Sequence, residues 1–105
     1  MTTKRKDNSE NMSIQKAVDL GEYDPEVLSL CKEWSGLSYH AQLQYIKEGL
    51  DNRRKQLLMQ WAEMDRAIDL RLKPNLEIAK HNVEKQLKKI EDDREKLYFE
   101  YSKKY

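Results

Sequence analysis

Residues 69–80 read DLRLKPNLEIAK, and Pro74 inside this stretch decides the fold. Proline has no backbone N–H to donate and pushes the preceding residue, Lys73, out of helical geometry. Helical patterning runs up to it from both sides. Upstream, apolar residues recur at Leu43, Ile46, Leu50, Leu57, Trp61, Met64, Ile68 and Leu72. With Arg54 filling the single gap, the mean spacing is about 3.6 residues, the period of a straight α-helix. Downstream the rhythm resumes at Leu76, Ala79, Val83, Leu87, Ile90, Arg94, Leu97 and Tyr101. Two stripes of similar length on either side of a breaker predict an antiparallel hairpin, with long helices over about 39–72 and 75–103.

Register supports the hairpin over one long kinked helix. A turn centred at Lys73 and Pro74 sets Leu57 opposite Ile90, Met64 opposite Val83 and Ile46 opposite Tyr101. It also sets the polar interruptions of both stripes at one level, Arg53 and Arg54 against Asp93 and Arg94. Those four residues are expected to form a polar layer, with Asp93, Asp92 or Asp51 as carboxylate partners for the arginines.

Upstream of the hairpin, DPEVLSLCKEWSG (24–36) predicts a short helix over about 25–35. Asp24 suits the N-cap, Pro25 the first helical position, and Gly36 a left-handed residue past the end. Its apolar face is Val27, Leu30, Cys31 and Trp34. Before it, SIQKAVDLGE is a weaker helical segment, with Ile14, Ala17 and Val18 on one side and Gly21 at its end. Residues 1–21 are assigned to a flexible polar tail and 22–105 to the helical domain. A hairpin alone buries both stripes poorly, so the short helix must fold across it, or a partner must cover it.

Composition narrows the function classes. The 105 residues hold 20 basic and 19 acidic groups, and 22–36 alone has one basic against four acidic. A protein that lives on phosphate contacts usually carries a larger basic excess. The clusters Lys4, Arg5, Lys6 and Arg53, Arg54, Lys55 are the candidate phosphate contacts, but Asp51 and Lys55 are also spaced as a helical ion pair. A helix-turn-helix reading of the SGLS linker (35–38) fits badly, since its second helix would run for about thirty residues.

Catalytic chemistry finds little material. No Ser–His–Asp pattern, glycine-rich phosphate loop or clustered metal-ligand motif is present, and there are only three glycines. Glu77, His81 and Glu84 share a helix face, yet a bundle metal site needs more ligands from the facing helix, which offers only Asp65 and Asp69 near this level. No metal or cofactor is expected. The lone Cys31 sits on an apolar face and reads as a packing residue.

The reading is therefore an all-α, coiled-coil-like hairpin that is not an enzyme and acts by binding protein or itself. Trp34, Tyr45, Phe99 and Tyr105 are the candidate partner contacts, because aromatic side chains supply large amphipathic area. Tyr98, Tyr101 and Tyr105 also suit closing the open end of the hairpin against Tyr39, Leu43 and Ile46. The longest apolar runs are too short for a membrane span, the N-terminus lacks the apolar core of a secretory signal, and one cysteine suits a reducing compartment. The expected location is cytoplasmic.

Overall fold

The computed structural model describes residues 13–69 and 76–103. In chain order they form α1 (Ile14–Asp19), α2 (Pro25–Leu28), a 3₁₀ turn (Trp34–Gly36), α3 (Tyr39–Asp69) and α4 (Glu77–Ser102). The long helices α3 and α4 pack antiparallel, and α1 packs on α3. The Pro74 region, Leu72 and the N-terminal basic cluster lie outside the described residues.

Local chemistry starts each helix where the sequence supplies a cap. The Ser13 hydroxyl accepts from Lys16 N–H to open α1, and the Asp24 carboxylate accepts from Glu26 N–H to open α2. Ser38 accepts from Ala41 N–H at 3.1 Å and starts α3. Gly21 ends the α1 segment at φ 92°, a left-handed conformation costly for any side chain. Glu22 N–H returns to the Ala17 carbonyl at 3.0 Å, closing the C-terminal turn.

Three expectations are corrected here. First, the segment 13–21 belongs to the folded body rather than to a tail. Ile14, Ala17 and Val18 are buried, and burying three side chains on α3 offsets the poor intrinsic stability of a six-residue helix. Second, the helix expected over 25–35 stops at Leu28, and Gly36 stays out of the left-handed region. Its buried anchors are Leu28 and Trp34, with Cys31 half-buried, while Val27 and Leu30 face solvent. Straightening 25–35 into one helix would carry Leu28 off the core, so the chain bends between these anchors. Third, the layer laid across the hairpin is principally α1, followed by a strap over 22–37.

Across the hairpin, Arg54 meets Glu91, Trp61 meets Glu84 and Asp65 meets Lys80. The register of these polar contacts lies roughly half a helical turn from the one centred on Lys73 and Pro74. At the open end Tyr101 reaches Gln42 and stands edge-on to Tyr39, with ring centroids 6.3 Å apart. The core is continuous from Ile14, Val18 and Leu28 through Ile46, Leu50 and Leu57 to Val83, Ile90 and Tyr101. No helix among the described residues is long and apolar enough to cross a membrane.

Candidate interaction surface

The α-helical period divides α3 into two working faces. One carries Ile46, Leu50 and Leu57 into the hairpin seam. The other carries Gly49, Asn52, Arg53 and Gln56 beneath α1 and the strap. The side chains of this second face serve backbone. Asn52 donates to the Val18 carbonyl at 2.8 Å, Gln56 to Leu20 at 3.1 Å, and Arg53 Nε to Gly21 at 3.1 Å. These carbonyls end α1, where helical geometry leaves acceptors without partners and partial negative charge accumulates. Arg53 thus brings a positive charge to the negative end of a helix.

Gly49 sets how closely the strap can approach. A Cβ at this position would collide with the Glu22 carbonyl oxygen and stand 3.1 Å from Tyr23 Cα. With the strap held there, Tyr23 donates its hydroxyl to Asp93 at 2.7 Å, and Lys89 donates to the same carboxylate at 2.8 Å. Burial and then this bond push the Tyr23 hydroxyl above its ordinary pKa. Burial alone would raise Asp93, but the bonds from Lys89 and Tyr23 outweigh it and hold the carboxyl below its usual value. Beside this bond lies an open cleft of about 410 Å³, walled by Arg53, Lys89, Lys96, Leu97 and Glu100. Its mixed charge favours no one ligand class.

The four residues expected to form one polar layer are brought to the same level but split across the seam. Arg53 and Asp93 lie on the strap side, with their bonds directed to Gly21 and Tyr23. Arg54 lies on the opposite side, where Glu91 sits 3.4 Å from it and 3.7 Å from Arg94. Each of these three side chains is about half exposed, so the group is a solvated surface triad and contributes little to stability. The arginine partner is Glu91, not Asp93, Asp92 or Asp51.

The remaining candidates separate by exposure. Trp34 is buried, and its carbonyl accepts from the buried Gln42 side chain at 3.0 Å. Tyr45 is half-buried against the core. Phe99 is exposed at 61 %, with the Lys103 ammonium 4.2 Å from its ring centroid. Tyr105 lies outside the described residues. Tyr101 is buried and closes the open end as expected, with Tyr98 half-buried beside it.

The groups weighed for chemistry have other partners. Glu84 accepts from Trp61 Nε1 at 2.9 Å and lies 3.4 Å from His81, and Asp65 accepts from Lys80 at 2.6 Å. The bond from Trp61, followed by that from His81, holds the Glu84 carboxyl below its ordinary pKa despite the opposing effect of desolvation. Among the described residues no three metal-ligating side chains cluster. Burial, then the neighbouring Glu33, raises the Cys31 thiol, which makes it a poorer nucleophile at neutral pH.

A second surface is the distal half of the hairpin, beyond the reach of α1. There, among the described residues, only Val83 of the seam is fully buried. Trp61, Met64, Ile68, Leu76, Ala79 and Leu87 stay half-buried, because two helices alone cannot enclose a seam. Leu58, Met59 and Ile78 are exposed, at 41, 65 and 76 %. The outer face of α3 forms a shallow groove here, lined by Met59, Ala62, Glu63, Arg66 and Ala67. Sequence periodicity missed this surface because it followed the best stripe and set the residues beside it aside. The weaker repeat at Gly49, Asn52, Gln56, Met59, Glu63 and Ala67 was the available signal.

No protein-family model, curated protein or solved structure gives a significant match to this chain.

Proposed function

We propose that this protein is a non-catalytic protein–protein interaction module, an adaptor, assembly factor or regulator that acts through helical packing in the cytoplasm. The observation that carries the reading is the asymmetry of the hairpin. Its proximal half has a third layer and, among the described residues, its distal half has none, leaving a half-open seam there, with Met59 exposed on the outer face of α3 and Ile78 exposed on α4. The half-buried apolar side chains of that seam gain by transfer out of water, at roughly 25 cal/mol per Å² of area removed.

Nucleic-acid association through Lys4–Lys6 and Arg53–Lys55 is the second reading, and the geometry lends it less. Arg53 caps α1, and Arg54 pairs with Glu91. Two assays separate the readings. The tagged protein and a Met59→Asp/Ile78→Asp variant are used to capture partners from the native host, after circular dichroism has shown equal helicity. Proteins held by the wild type and lost by the variant support the module. Retention on immobilised DNA or RNA that weakens steeply with salt, unaffected by this variant, would replace it with the nucleic-acid reading.

A further inference from the structure

The groove on the outer face of distal α3 has a self-complementary pattern, and we infer that it is the contact between two copies of this chain, packed antiparallel about a two-fold axis. The inference rests on the interaction-module reading and names the partner.

The groove residues Ala62, Glu63, Arg66 and Ala67 are symmetric about a point between Met64 and Asp65. An antiparallel helix pair centred there sets Glu63 of one copy against Arg66 of the other, and Ala62 against Ala67, each pair occurring twice. This is the condition for an isologous interface, in which one patch must satisfy itself. The two alanines flank these charged pairs without adding bulk, and Met59 supplies exposed apolar area at 65 % at the edge of the contact. Among the described residues neither Glu63 nor Arg66 forms an ion pair within its own chain, though they stand at the i, i+3 spacing on one helix.

Continuity points the same way. The groove prolongs the α3 face that α1 covers through Asn52, Arg53 and Gln56. In the proximal half that face receives a helix from the same chain; in the distal half it would receive one from the second copy. The stretch Met59–Asp69 spans about three helical turns, roughly 16 Å. So small an interface predicts a weak, transient dimer.

The test uses the full chain, sedimentation equilibrium from about 5 μM to 1 mM, and the exposed variants Glu63→Arg and Arg66→Glu. Circular dichroism first checks that each is folded. The wild type is expected to dimerise, and each single reversal to weaken the dimer by about ten-fold or more, since two attractive pairs become two repulsive ones. An equimolar mixture of the two variants is expected to recover the dimer as a heterodimer, because all arginines then stand on one copy and all glutamates on the other. A wild type that stays monomeric throughout overturns the inference. So does a dimer indifferent to the reversals, which would place the contact elsewhere. The partner-capture assay reads independently of both outcomes, so a monomer that still loses a foreign partner on Met59→Asp/Ile78→Asp would retain the module reading and discard self-association.

Discussion

Replacing Gly49 by alanine should destabilise the protein, although it puts the best helix former in place of nearly the worst. In an isolated helix the change is favourable by about 1 kcal/mol. Here the new methyl meets the Glu22 carbonyl oxygen and the Tyr23 backbone, which cannot swing away as a flexible side-chain end would. The strap must lift from α3. Lifting withdraws the Tyr23 hydroxyl from Asp93, a charge-assisted bond worth about 1.5–3 kcal/mol, and loosens Gly21 from Arg53, at about 1 kcal/mol more. After subtracting the helix gain, the net loss is about 1.5–3 kcal/mol. That corresponds to a fall in Tm of roughly 6–24 °C for a domain of this size.

Gly36→Ala supplies the opposite sign as a control. A Cβ there meets nothing within 4 Å, and its φ is not positive. The substitution should be neutral or stabilise by about 0.4–1 kcal/mol through the unfolded chain. Urea unfolding followed by far-UV circular dichroism measures both. A Gly49→Ala protein as stable as the wild type would refute the close approach of strap and helix, and with it the placement of Tyr23.

Truncating the seam tests the hairpin itself. Leu57→Ala and Ile90→Ala, both at buried positions, should each cost about 2–5 kcal/mol in urea unfolding. Phe99→Ala, at an exposed position, should cost under about 1 kcal/mol, and equal losses would mean the seam is wrongly drawn. Arg54→Leu should leave stability level or raise it, because the pair with Glu91 is half exposed and the lost charge leaves no buried partner; a loss above about 2 kcal/mol would show a buried role. Tyr23 and Asp93 predict a pH dependence. The carboxyl of Asp93 is held low in the folded state, so its contribution is present above about pH 4 and is lost as the pH falls through the folded pKa. The stability gap between wild type and Asp93→Asn should therefore close in acid, and a gap constant from pH 7 to pH 2 would contradict the bond.

How much of this was legible in the sequence follows the strength of each periodic signal. The stripes of α3 and α4 span many turns, so errors at single positions average out, and the hairpin was readable. Short elements offer no such averaging. The segment 25–35 has good start and stop residues at both ends, yet it folds as one helical turn and a bend because Leu28 and Trp34 must reach the core separately. The aromatic candidates illustrate a related limit: Trp34 and Phe99 look alike in sequence as amphipathic surfaces, and only the path of the strap buries one and leaves the other out. Gln42 was invisible for another reason. It lies next to the seam and is buried because the Trp34 and Leu37 carbonyls turn towards it, partners set by tertiary structure alone.

The arginines at the break in the α3 stripe show how such a limit can be overcome. Sequence logic weighed two reasons for a cation in a seam, a phosphate ligand or a polar layer between helices, and both assumed that the two arginines act together. Adjacent helical residues differ by 100° in direction. They therefore leave the seam on opposite sides, and each is answered by what lies on its own side. Arg54 finds solvent and Glu91. Arg53 finds the end of α1, whose carbonyls need donors, and Asn52 and Gln56 work beside it on the same task. The run of polar residues at 52, 53 and 56 is thus the docking face for α1. If Arg53→Met keeps helicity, it should expose Ile14 and Val18 to faster amide exchange across α1 while leaving α4 protected. Equal protection of α1 in both proteins would mean that the arginine does not hold the helix in place.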